Sequence, residues 1–207
     1  MRRYFFVGTN YEKIIHDNLS RFFAQLSDDA EKSLGAEKRG GSYYFRAFGE
    51  DCCLCPKMVS LSGKPADEPR GLLISLYALH ANAEPMQTEP FRSFKDFPDS
   101  MPYQNAFSVN SEKVLVPHVL LIKEKQPRIK KSFDGRDGLP GLTGDFCFIL
   151  YPLPKIALYY IFYLPDEEFP ASATCLFSAN ALSFMPLDGL ADVAEYTSRE
   201  IVQLVLK

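Results

Sequence analysis

The stretch FCFILYPLPKIALYYIFYL, from Phe146 to Leu164, constrains this chain more than any other. It approaches the length of a membrane-spanning helix, but Pro152, Pro154 and Lys155 interrupt it. A lipid-exposed helix has no partner for the backbone groups that such a break frees. Its two halves are runs of aromatic and β-branched residues. They are predicted to form strands at about Asp145–Tyr151 and Ile156–Tyr163, with Pro152-Leu153-Pro154 between them.

The rest of the chain is read around that pair. Tyr11, Ile14, Ile15, Leu19, Phe22, Phe23 and Leu26 recur at helical steps and predict a helix from Tyr11 to Leu34. Asn10 is its expected N-cap and Gly35, then Gly40-Gly41, its stop. Ser42–Phe48 and Cys52–Pro56 read as a hairpin around Gly49-Glu50-Asp51, with Val59–Leu61 extending the second strand. Gly71–Ala83 has helix length and ends before Pro85. Pro85–Pro102 reads as ordered loop. Tyr103–Gln126 reads as one or two helices, with Pro117 near the first turn of the second. Pro127–Gly144 reads as a basic, glycine-rich loop. Ala173–Phe177 is a third strand in this region, and Leu187–Leu206 a closing helix with Asp188 as N-cap. Helices at both ends and strands in two irregular clusters predict an α+β fold, mostly antiparallel, with the terminal helices packed on the sheet.

With 207 residues, of which 46% are hydrophobic and 24% charged, the chain can bury a full core without covalent staples. Its net charge of −3 and pI near 5.7 argue against a nucleic-acid partner. The basic start Met1-Arg2-Arg3 imitates an export signal, but the apolar run that follows is too short for one. No membrane partner is expected. Five cysteines without framework spacing are expected as free thiols in a reducing cytoplasm. No cofactor motif is found, so no cofactor is predicted.

Four constellations bear on chemistry. In a strand, Cys53 and Cys55 share one face and Cys52 takes the other, so the first two are candidate soft-metal ligands. Small buried hydrophobes are the blander reading of the same cysteines. His16, His80 and His118 lack metal-ligand spacing. Lys123, Lys125, Arg128, Lys130, Lys131 and Arg136 precede the glycines without a phosphate-loop pattern, and read as a solvated loop. The acidic run Asp166-Glu167-Glu168 follows the second strand, while Asp145 opens the first. An antiparallel pairing brings Asp145 close to Asp166. Such carboxylates can share protons or hold a hard cation; they can equally cap a turn or pair with Lys155 or Arg199. The candidate ligand-binding residues are therefore Asp145, Lys155, Asp166, Glu167 and Glu168.

Gly144-Asp145, Pro152-Leu153-Pro154-Lys155-Ile156, the run Asp166 to Ala173 (DEEFPASA), Leu176-Phe177, the run Ala181 to Pro186 (ALSFMP) and Leu190-Ala191 together resemble the domain-of-unknown-function 3786 family. The Tyr-rich hairpin from Tyr43 to Cys55 and the apolar Leu72–Ala78 fit more loosely. The resemblance extends over most of the chain, which implies one domain, residues 1–207. It implies no activity, because the family has none established. Its members are found mainly in anaerobes, and some carry an N-terminal cysteine-rich segment of the kind that holds iron–sulfur clusters. Here the first cysteine is Cys52, so that segment is expected to be absent. Many relatives have an aromatic residue and a glycine before the acidic run, where this chain has Leu164-Pro165.

Three readings follow, in descending order. The first is a non-catalytic binding or accessory module of anaerobic metabolism with a protein partner, docking on a metalloprotein through a patch expected at the Phe91–Phe97 loop. The second is an enzyme that uses Asp145, Asp166, Glu167 and Glu168 with a divalent cation. The third is a soft-metal or redox site at Cys53 and Cys55. The sequence leaves the oligomeric state open.

Overall fold

The computed structural model describes residues 10–139, 141 and 144–207. The export-signal reading of Met1–Gly8 and part of the glycine loop lie outside them. The chain begins with α1 (Asn10–Ala24) and α2 (Ala30–Leu34), followed by strands β1 (Glu37–Arg39), β2 (Ser42–Ala47), β3 (Glu50–Cys55), β4 (Met58–Leu61) and β5 (Lys64–Pro65). Next come α3 (Arg70–His80), β6 (Arg92–Ser93), α4 (Gln104–Phe107), α5 (Val119–Glu124) and α6 (Gln126–Ser132). The last elements are β7 (Arg136–Asp137), β8 (Phe146–Leu153), β9 (Ile156–Tyr163), β10 (Ser172–Phe177) and α7 (Leu187–Leu206). Strands β1 to β5 form an antiparallel meander in sequence order, and a second antiparallel sheet runs β6-β10-β9-β8-β7. The fold is α+β. No helix among the described residues is long and apolar enough to cross a membrane.

The central hairpin β8–β9 is continuous from Phe146↔Phe162 to Leu150↔Leu158, and a register shift before Leu153↔Ile156 absorbs Pro152. The carbonyl freed there accepts a hydrogen bond from Phe48 N–H at 2.7 Å, which ties the first sheet to the second. One buried cluster runs through both sheets and the helices. A smaller one, around Ile149, Ala157, Tyr159 and Ile161, fills the other face of the second sheet beneath Met86, Phe91 and Leu139. Helix α7 presents Leu190, Val193, Ala194, Ile201 and Val205 to the core, as its apolar periodicity predicts.

Several boundaries differ from the sequence reading. The first helix stops at Ala24 and α2 starts afresh at Ala30. Ser27, Asp28 and Asp29 lie in the gap, and short polar side chains of this kind compete with helical hydrogen bonding. Gly35, left-handed at φ 62°, caps α2, with its N–H on Glu31 and Lys32 carbonyls. The first hairpin turns at Phe48-Gly49 (φ 50° and 75°), one residue earlier than predicted. Two positive φ angles suit the twist of a two-residue hairpin. A side chain at Gly49 would meet the Ser132 carbonyl, and Phe48 is held by its edge-on ring contact with Tyr196 at 4.9 Å. The segment read as one or two helices is a succession of α4, a π turn (Ser108–Glu112), a 3-10 stretch containing Pro117 (Lys113–His118), and α5. Much of the basic "loop" is helix α6, with Pro127 in its first turn. Pro186, not Asp188, occupies the N-cap of α7, and Asp188 accepts from Gly189 N–H instead.

Candidate functional site

The mouth of the β8–β9 hairpin is one candidate. Asp145 N–H donates to the Phe162 carbonyl at 2.9 Å, and Asp145 Oδ2 accepts from Leu164 N–H at 2.6 Å. Beyond Leu164 the chain turns on Asp166, whose Oδ1 accepts from the N–H groups of Glu168 and Phe169 at 2.8 and 2.7 Å. Asp145, Asp166, Tyr163, Leu164, Phe169, Pro170 and Ser172 line a concavity of about 500 Å³. Phe169 is 66% exposed and Tyr163 46%. The structure thus places Asp145 and Asp166 in one pocket. Glu167 and Glu168 are exposed on the turn and do not line it.

Lys155 lies at the other end of the hairpin. Strands of this length separate it from Asp145 by roughly 25 Å at about 3.3 Å per residue. It is 7% exposed, donates to the Asn82 and Glu84 carbonyls at 2.6 and 2.7 Å, and sits over the Phe184 ring at 5.1 Å. Burial, with Lys32 nearby, draws its ammonium below the usual lysine range. Its contacts anchor the 82–84 segment, and it has no part in the carboxylate pocket. Arg199 is likewise engaged elsewhere, with Glu195 at 2.6 Å.

The Phe91–Phe97 loop is not an exposed patch. Phe91 stacks on Tyr159, Phe94 and Phe97 are buried, and both pack on Phe177. The basic run also disperses: Lys130 pairs with Asp137, Lys125 donates to the Val205 carbonyl at 2.8 Å, and Arg136 covers the Tyr151 ring.

Two further sites were not read from the sequence. A cleft of about 590 Å³ lies between α7, the entry to α3 and Tyr11, lined by Asp67, Glu68, Asp192, Glu195 and Glu200, with Arg199 and Tyr196. Burial, then Glu195 and Asp188, pushes the Asp192 carboxyl upward. Beneath α7, Tyr160 and Ser198 hydroxyls lie 3.1 Å apart and Ser198 donates to the Ser111 carbonyl at 2.6 Å. Glu112 Oε1 accepts from Cys175 N–H at 3.2 Å, and burial raises its carboxyl above the usual range. That glutamate ends the π turn and lines a 220 Å³ pocket with Lys95, Gln104 and Ser108. A π turn in a helical segment is a recurrent mark of functional sites.

On the first sheet, Cys52 and Leu54 point into the core, whereas Cys53 and Cys55 are half-buried on the outer face. None of the five cysteines, all among the described residues, is in a disulfide. No three His, Cys, Asp or Glu side chains among the described residues are grouped to hold a metal ion.

Fold and site define an antiparallel α+β protein whose concavities are lined by carboxylates and aromatic rings. The chain belongs to the family described as Domain of unknown function (DUF3786), whose model matches residues 27–200. No curated protein and no solved structure matches it.

Proposed function

We propose that the chain is a non-catalytic binding module whose hairpin-mouth pocket receives a basic side chain of a protein partner. The observation that carries this reading is the pairing of a largely exposed Phe169 ring with Asp145 and Asp166 in one concavity that no cationic residue lines among the described residues. A lysine or arginine entering there gains the two carboxylates and an aromatic face. Cation–π attraction at an exposed site is worth about 0.5–1 kcal/mol, and covering a phenylalanine adds roughly 1.5–3 kcal/mol when complete. Catalysis is less well supported, because each carboxylate has an oxygen committed to a backbone N–H of its own turn.

Fluorescence anisotropy with a labelled arginine-rich peptide, against a charge-reversed control, tests this. Binding should weaken with added salt and fall at least about tenfold in Phe169→Ala and in Asp145→Asn/Asp166→Asn. Asn retains an oxygen for the turn, so the loop persists. Glu200→Gln, in the cleft beside α7, should leave affinity unchanged. Binding that ignores the pocket variants, or that falls equally with Glu200→Gln, refutes the assignment.

A further inference from the structure

We propose a surface site for a soft monovalent cation, of the copper(I) class, built from the thiolates of Cys53 and Cys55 and the thioether of Met58. The meander puts these three sulfurs on one patch. Strand alternation sends Cys53 and Cys55 to the same face of β3, away from the core. The two-residue connection Pro56-Lys57 then pairs Cys55 directly with Met58 of β4, and Cys53 with Ser60. Directly opposite residues in an antiparallel pair have Cβ atoms about 4.5–5.5 Å apart. Met58 is 38% exposed, so its flexible side chain is free to swing over the two thiols.

The spacing suits a bridging metal better than a disulfide. Residues two apart on a strand are separated by about 6.8 Å. A disulfide needs Cβ atoms about 3.5–4.5 Å apart, which would break the extended backbone of a strand paired on both sides. A metal between the two sulfurs separates them by up to about 4.6 Å, at about 2.3 Å per bond, and so bridges the pair without that distortion.

The donor set selects the ion. Thiolates and a thioether are soft ligands, and they favour copper(I) over hard cations that require carboxylates and carbonyls. On the other side of Cys53, directly opposite it on β2, stands Tyr44. Nor does packing account for these cysteines. Free cysteine is among the most buried residue types, and Cys52 and Cys175 conform, whereas this pair lies on a face shared with Tyr44, Met58 and Ser60.

The test is anaerobic titration of the full chain with copper(I) against a chromophoric copper(I) chelator. One equivalent should be withdrawn from the chelator by the wild type. Cys53→Ser and Cys55→Ser should lose that withdrawal, Met58→Leu should weaken it by about tenfold, and Cys147→Ser should leave it intact. Mass-mapped alkylation of the wild type gives a readout that needs no variant: copper(I) should protect Cys53 and Cys55 together. Unprotected thiols, retention in both serine variants, or tighter binding of zinc than of copper(I) would each overturn the site.

Discussion

Phe177 closes β10 at the point where the 86–107 segment packs onto the second sheet, and its removal tests how that segment is held. The side chain is fully buried, with ring centroids of Phe94, Phe97 and Phe107 at 6.0, 5.7 and 5.7 Å. Phe94 and Phe107 are themselves stacked at 4.3 Å, so the pocket left by Phe177→Ala has rigid walls and collapses little. Emptying such a site costs about 3–5 kcal/mol. At roughly 2–4 °C per kcal/mol for a chain of this size, Tm should fall by about 6–20 °C. Phe177→Leu keeps most of the volume and loses only ring geometry, so it should cost roughly 1–2 kcal/mol. Urea unfolding followed by far-UV circular dichroism measures both, with an unchanged m-value showing that the same surface is exposed. A loss below about 1 kcal/mol for the alanine variant would refute the reasoning, because it would mean that the aromatic segment is not anchored in the core.

Glu112→Gln tests a buried ionisable group. The native state raises this carboxyl through burial, so it holds its proton more tightly than the unfolded chain does. Wild-type stability should therefore fall as pH rises from about 4.3, the ordinary glutamate value, through the folded value, and level off above it. The glutamine variant should lack that fall, so its Tm advantage over wild type should be larger at about pH 7 than at about pH 4; thermal melts at the two pH values check this. Ser111 and Ser198 form a contrasting pair. Ser111 Oγ is buried without a hydrogen-bond partner among the described residues, so Ser111→Ala should be neutral or stabilising, whereas Ser198→Ala strips partners from Tyr160 and from the Ser111 carbonyl and should cost about 1–3 kcal/mol, read by urea unfolding. Brief native alkylation should label Cys53 and Cys55 and spare Cys52 and Cys175: both of these are buried, and burial, then Cys53, pushes the Cys52 thiol up to about 12.

Where one local pattern decides the outcome, the sequence was readable. The β8–β9 hairpin is written as two apolar runs parted by prolines and α7 as a long helical periodicity, and both appear where those patterns place them. Residues 101–132 do not, because α7 and the second sheet press on a segment that also contains Pro117, and packing there breaks the helix into π and 3-10 turns. Pro127 suits a loop, but a first-turn proline also opens a helix, and α6 follows from that second use. The same hairpin parity that put Asp145 near Asp166 also removes Lys155 to the far end, a consequence that counting residues along the strands would have revealed. Met58 was equally reachable, since a two-residue turn after Cys55 makes it the opposite partner. The cleft beside α7 was beyond reach: its residues come from Tyr11, 67–72 and 192–200, and no local pattern links them.

Exposed aromatic rings are ordinary on protein surfaces, so exposure alone does not make Phe169 a contact residue. What sets it apart is the way it is held. Asp166 fixes the consecutive N–H groups of Glu168 and Phe169, and Asp145 ties Leu164, ahead of the turn, back to the hairpin. The ring is thus presented by a hydrogen-bonded turn standing on the most buried strand pair of the molecule, not by a slack loop. A partner that covers it has less ordering entropy to overcome, which is how preorganised surfaces gain affinity without additional contacts. The two aspartates thereby serve both functions considered for them: one oxygen of each braces the turn, and the braced turn aims the remaining charge and the aromatic face into the same concavity.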